Sequence, residues 1–274
     1  MSTFEILMNL WSRCHWPDQP GLRLMSLRGC KLVGDQLQLV PERIDRFDDL
    51  MCLIDPAKGV LATMPCTAGQ PGMAWIKKYP EGQGAPFTRA GCYSYMRGVH
   101  LGKHRCLVQS SSAAGILAVI RDVNKNGVAE FAPSSPDLFD YPHNTGIHIH
   151  ACTGTPSLVG LWSSGCHVVD GDWDKQPWLS LDQFVYATYA GQQSFWYGVC
   201  EGSWINDNSK RVLWGSCGSA TSGMVAFLKT KGIFSFADCE LFHESIDRGY
   251  RQWQRQSGQV QSGISVNPPW VIGG

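Results

Sequence analysis

Apolar and polar positions change their rhythm three times along the chain. Residues 4–11 repeat apolar side chains at helical spacing and stop before Pro17, Pro20 and Gly21, which predicts a short N-terminal helix. From residue 22 to about 169, Gly, Pro or Asn interrupts the chain every few positions, with short β-rich runs at 37–40, 106–109 and 115–120 between the breaks. That punctuation predicts a β-dominated domain. A helical period returns at 180–189, where Ser180 offers a cap and Phe184, Val185 and Tyr189 recur on one side. A stretch rich in aromatics, Gly and Ser then leads to two more helix-like runs, 223–231 and 240–256, and a tail containing Gly, Pro and Trp. The expected order is an N-terminal extension at 1–21, a β-rich (mainly β, α+β) domain at 22–191, a linker at 192–211 and a small α-helical module at 212–274.

Composition narrows the classes of function. Hydrophobic residues make up 43% of the 274 positions and charged ones 17%, the balance of a globular protein rather than a disordered one. Lys plus Arg and Asp plus Glu both number 23, so no net field exists to hold nucleic acid or an acidic membrane. The 11 cysteines include no CxxC pair and no regular spacing, so neither a disulfide framework nor a zinc ribbon is expected. Most should be buried, reduced thiols. An acidic Glu5 near the N-terminus and the lack of a long apolar run predict neither a secretory signal nor a membrane span. The expectation is synthesis in a cytoplasm, with action elsewhere depending on delivery by a phage particle or a secretion machine.

The chemistry concentrates at residues 146–169, GIHIHACTGTPSLVGLWSSGCHVV. Ile147, His148, Ile149 and His150 alternate, so a strand here places both imidazoles on one face and both isoleucines in the core. Downstream stands Trp162-Ser163-Ser164-Gly165-Cys166, where a glycine before the cysteine lets backbone amides approach a substrate carbonyl. A thiol near neutral pH needs an adjacent imidazole to act as a nucleophile. Strand pairing would supply it.

His150 followed by Ser163-x-Gly165-Cys166 resembles the active-site motif of L,D-transpeptidases, in which a strand histidine activates a cysteine in an S/T-H-G-C segment. Two positions depart from that pattern: Ser164 replaces the usual histidine and Val168 a frequent polar residue. A divergent phage and bacterial branch is more similar, with an IxIHxG segment, a WSxGCQ segment and an upstream RDxN turn. Here these are His148 to His150, Trp162 to Cys166, and Arg121-Asp122-Val123-Asn124, and weaker likeness extends through Leu27-Arg28-Gly29, Phe47-Asp48-Asp49, Thr67 and Gly98. The resemblance implies an L,D-transpeptidase-like β-sandwich or barrel acting on the tetrapeptide stem of peptidoglycan without a cofactor. It implies Cys166 as nucleophile, His150 as base, Ser163 at the family's Ser/Thr position, and the Gly165 and Cys166 amides as oxyanion donors. His148, Ser164, Trp162, Arg121 and Asp122 fall to binding or orienting roles.

The C-terminal segment resembles a degenerate peptidoglycan-binding module of the three-helix type. Gly215-Ser216-x-Gly218, Val225-x-x-Leu228, Gly232-Ile233-Phe234, Gly249-Tyr250-x-x-Trp253-Gln254, Gly258, Gly263-Ile264 and Trp270 follow its order. In that module apolar residues of two helices share a core and glycines end the helices.

Plainer readings stand beside these. A lone Cys166 would be a buried structural thiol. His148, His150, Cys152, Cys166 and His167 are all possible zinc ligands, but alternation sets His167 opposite Cys166 and no carboxylate is spaced to join them, so no metal is expected. The Asp122-x-Asn124-x-Asn126-Gly127 run starts like a calcium loop, yet Pro133 stands where a bidentate Glu is required, which leaves a polar turn. Trp196 and Trp204 read as domain packing. The leading expectation is a cysteine carboxypeptidase, endopeptidase or transpeptidase of the peptide stem. Its rivals are a wall-binding component of a phage or injection particle, without turnover, and a zinc amidase.

Overall fold

A computed structural model of the chain describes residues 1–132, 134–142, 146–154, 157–233 and 241–268. Helix α1 (Thr3–Arg13) opens with a capping box: Ser2 Oγ accepts from the Glu5 amide at 3.2 Å, and the Ser2 amide donates to the Glu5 carboxylate at 2.7 Å. Its buried face carries Leu7, Leu10 and Trp11.

The body of the protein is β-rich. Strands β1 (Arg23–Arg28), β2 (Cys30–Val33), β3 (Gln36–Leu39), β4 (Asp49–Asp55) and β5 (Gly59–Cys66) precede the short helix α2 (Met73–Lys78). After it come β6 (Ala85–Thr88), β7 (Gly91–His100), β8 (His104–Gln109), β9 (Val119–Asp122), β10 (Leu138–Asp140), β11 (Ile149–Ala151) and β12 (His167–Val169). Helix α3 (Trp178–Gln183) runs into a π-turn, Phe184–Thr188, and is followed by β13 (Ser194–Glu201). The chain closes with β14 (Arg211–Val212), α4 (Ser219–Thr230), α5 (Glu244–Gln256) and β15 (Ser265–Val266).

Eight strands close into a barrel in the order β1-β13-β7-β8-β11-β12-β5-β4. Two neighbouring pairs are parallel, β1 with β13 and β11 with β12. Period-two alternation sorts the side chains: Leu24, Met51, Leu53, Met64, Tyr93, Tyr95, Leu107, Ile149, Val169, Tyr197 and Val199 share one buried cluster. The alternate residues Met25, Leu27, Cys52, Ile54, Cys92 and Cys200 pack with Leu7, Leu10 and Trp11 of α1 in a second. These strands are therefore covered on both faces, which is why they read as continuous apolar runs. A smaller sheet, β10-β9-β6, packs Ala85, Phe87 and Ile120 on Ile76 of α2.

Residues 192–211, expected to be a linker, instead contain β13, which sits between β1 and β7 in the barrel. Its aromatics alternate, Phe195 and Tyr197 into the large core and Trp196 against the α1 side, so aromatic density here marks a two-sided strand. The run at 115–120 also divides, since Ala113–Gly115 form a 3-10 turn and β9 begins at Val119. Phe234, Glu240 and Trp270 of the helical pattern, and Pro133, lie outside the described residues.

The two C-terminal helices bury Met224, Val225, Leu228, Ile246 and Tyr250 in the same cluster as the barrel interior. Asp247 fixes their position. It is fully buried, accepts two hydrogen bonds from Arg89 (2.8 and 2.9 Å), one from Tyr141 Oη (2.6 Å) and one from Arg251 Nε (2.9 Å). Removing one partner leaves the others as uncompensated buried charge, at a cost of about 3–5 kcal/mol. Asp247→Ala is expected to lower the urea midpoint by a corresponding amount with little change in slope, and a loss under about 1 kcal/mol would show that this cluster does not anchor α5.

Candidate active site

Strands β11 and β12 pair in the register Ile149↔His167, His150↔Val168 and Ala151↔Val169. The His167 amide also donates to the His148 carbonyl at 2.9 Å, so Cys166 lies beside His148 on the face that carries His150. His167 points the other way. Inside the barrel its Nδ1 meets Tyr197 Oη at 2.9 Å, that hydroxyl donates to Ser26 Oγ at 2.7 Å, and Thr88 Oγ1 stands 3.5 Å from Nε2.

The segment before Cys166 is braced from several sides. Ser163 is fully buried; its single hydroxyl proton is shared between the carbonyls of Gln70 (2.7 Å) and Cys166 (2.8 Å), while its oxygen accepts from the Gly165 amide (3.1 Å). Thr67 Oγ1 donates to the Cys166 carbonyl (3.0 Å) and accepts from the Val168 amide (3.0 Å). Gly165 has φ +119°, and a Cβ there would fall 2.8 Å from Pro86 Cγ and 2.9 Å from Pro86 O, so only glycine fits. Ser163 thus holds the loop rather than facing a substrate. The Gly165 amide, expected to point at an oxyanion, is taken up by Ser163.

The sulfur of Cys166 lies 3.3 Å from the Gly146 carbonyl, and the residue is 5% exposed. Burial pushes its thiol up to about 11, with the His148 backbone amide opposing. His150 is 1% exposed; its Nδ1 lies 2.6 Å from the Ala151 carbonyl and its Nε2 has no partner. A carbonyl can only accept, so Nδ1 carries the proton and Nε2 keeps a free lone pair. Burial pushes His150 down to about 3, the Ala151 bond opposing and His100 and His148 adding to the fall. His150 stacks on His100 with ring centres 4.1 Å apart and lies 5.8 Å from Trp173. His148 Nδ1 is 3.1 Å from His100 Nδ1, and burial followed by His100 lowers it to about 4. The His148 backbone amide faces the Cys166 sulfur, but among the described residues no side-chain hydrogen bond joins that sulfur to the imidazole of His148 or His150. Both groups are therefore neutral at pH 7, and no preformed thiolate–imidazolium pair exists in this state.

The other expected residues are dispersed. Ser164 offers its carbonyl to Tyr79 Oη at 3.4 Å. Arg121 stands opposite Pro86 in the β6–β9 register, beside the Gly165 turn, and binds Asp140 at 2.6 Å. Asp122 is buried and accepts from the amides of Asn126 (3.1 Å) and Gly127 (2.8 Å), so it shapes its own turn. Trp162 is 37% exposed, next to exposed Leu161. Among the described residues no group of three or more His, Cys, Asp or Glu is arranged to hold a metal ion, and no helix is long and apolar enough to cross a membrane. Tyr79, His100 and Trp173 were not expected here; each comes from a separate segment of the chain, and no local motif signals it.

Comparisons with family models, curated proteins and solved structures returned no match.

Two pH effects follow. A thiol held at about 11 leaves on the order of one sulfur in 10,000 ionised at pH 7, so iodoacetamide labelling of Cys166 should quicken about tenfold per pH unit from 7 to 10. A plateau below pH 8 would instead reveal a thiolate–imidazolium pair. Unfolded histidines take up protons near 6.5 whereas folded His148 and His150 resist until about 4 and 3, so stability is lost as pH falls from about 6.5 towards 3. The paired substitution His148→Gln/His150→Gln should flatten that acid slope in urea titrations; an unchanged slope would refute the neutral buried state.

Proposed function

We propose that the chain is a cysteine-dependent enzyme of the peptidoglycan peptide stem, with a divergent L,D-transpeptidase-like barrel. One observation supports it most: a buried imidazole with a free Nε2 lone pair shares a strand face with Cys166. His150 accepts the thiol proton as sulfur attacks the L-centre to D-centre amide carbonyl, and returns it to the leaving amine. The Cys166 amide remains as an oxyanion donor, because Ser163 occupies that of Gly165. Water then releases the acyl group in a carboxypeptidase or endopeptidase, or an amine takes it in a transpeptidase.

A second reading, a wall-binding component without turnover, draws support from burial. Cys166 and His150 are 5% and 1% exposed, so a peptide must displace covering residues before attack. The zinc amidase reading finds no ligand set among the described residues.

Mass spectrometry of muropeptides incubated with the protein separates these readings. The enzyme reading expects loss, exchange or cross-linking of a terminal D-residue, abolished by Cys166→Ala and slowed about 100-fold or more by His150→Gln. Product that persists undiminished in Cys166→Ala would eliminate Cys166 as the nucleophile, and binding to sacculi without any product would favour the second reading.

A further inference from the structure

The turn that leads to Cys166 is apolar on its outer side. Leu158 is 45% exposed, Leu161 56% and Trp162 37%, while Val159 between them is buried. Exposed apolar side chains scattered singly are ordinary; several on one braced turn mark an interaction surface. The backbone holds them outward. The Trp162 amide donates to the Val159 carbonyl at 3.0 Å across Gly160, which has φ +55°. The amides of Val159 and Gly160 donate to the carbonyl (3.1 Å) and Oδ1 (2.6 Å) of Asp45. Trp75 of α2, half-buried, extends the same surface, its Nε1 donating to the Leu161 carbonyl at 2.8 Å.

Cations border this surface. Lys78 Nζ lies 5.7 Å from the Trp75 ring centre, exposed Lys77 is its neighbour in the chain, and Arg46 donates to the Ser157 carbonyl at 2.8 Å. Among the described residues none of these three pairs with a carboxylate. The acids of the same segments are Asp45, whose Oδ1 accepts from the Gly160 and Met73 amides, and Glu81. Arg43 and Asp48 neutralise each other at 2.7 Å. Charges that balance over the whole chain therefore leave a positive surplus beside exposed apolar groups.

We propose that this face docks on a bilayer surface containing anionic phospholipid. Leu158, Leu161 and Trp162 enter the layer between headgroups and chains, which an amphipathic indole favours, and Arg46, Lys77 and Lys78 meet the phosphates. An acidic polymer in water would satisfy the cations but leave the leucines wet. The inference is independent of the Cys166 chemistry, since docking is read without turnover.

Co-sedimentation of the full chain with phosphatidylcholine vesicles, with and without phosphatidylglycerol, tests it. Binding should be at least about tenfold tighter to the anionic vesicles and should weaken as salt rises. Leu161→Asp should weaken it about tenfold or more, and Lys77→Gln/Lys78→Gln by a similar factor. Leu101→Asp, at the β7–β8 turn where the leucine is 79% exposed, should leave binding unchanged. Circular dichroism checks that each variant is folded. No binding to anionic vesicles, equal binding to phosphatidylcholine alone, or an equal loss in Leu101→Asp would overturn the proposal. Indifference to Leu161→Asp together with loss in Lys77→Gln/Lys78→Gln would also overturn it, and would assign the face to an acidic polymer.

Discussion

The parallel pairing of β11 with β12 is the constraint on which the rest of the candidate site depends. Side chains that face each other across a parallel ladder share a face, so one register choice puts Cys166 with His148 and His150 and sends His167 into the barrel. A slip by one residue would exchange them, placing the sulfur in the core and the Tyr197 partner in the cleft. Thr67 and Ser163 guard against that slip. Thr67 bonds the main chain on both sides of His167, and Ser163 ties the approach to Gln70 on a separate segment.

The same pairing explains the electrostatics. Strands enclosed in a barrel wall have little water beside them, and the charged form of any group there is disfavoured. The thiol rises and the imidazoles fall for that one reason, with neighbouring histidines adding repulsion. The proton on His150 Nδ1 is fixed by the Ala151 carbonyl, so the tautomer is set by backbone rather than by a carboxylate.

Much of this was legible in the sequence where period-two alternation is strict. His148 and His150 on one face, His167 opposed to Cys166, the N-terminal helix and the β-rich body all follow from spacing. Strand β13 was not legible, because Phe195, Trp196 and Tyr197 are consecutive aromatics and alternation is invisible when both faces are buried. The part Ser163 plays was not legible for another reason. A sequence motif gives proximity in the chain, whereas only coordinates show that its hydroxyl turns towards Gln70 and the Gly165 amide. His100, Trp173 and Tyr79 reach the region from other segments of the chain, and no local pattern could announce them.

Strand β1 carries a consequence for biogenesis. Its parallel neighbour is β13, formed by residues 194–201, so the first strand waits for a partner translated some 170 positions later. Until then it can ladder only with β4, and its other edge stays open. A nascent chain would expose an apolar rim through most of its translation, which favours slow barrel closure and gives holding chaperones a target.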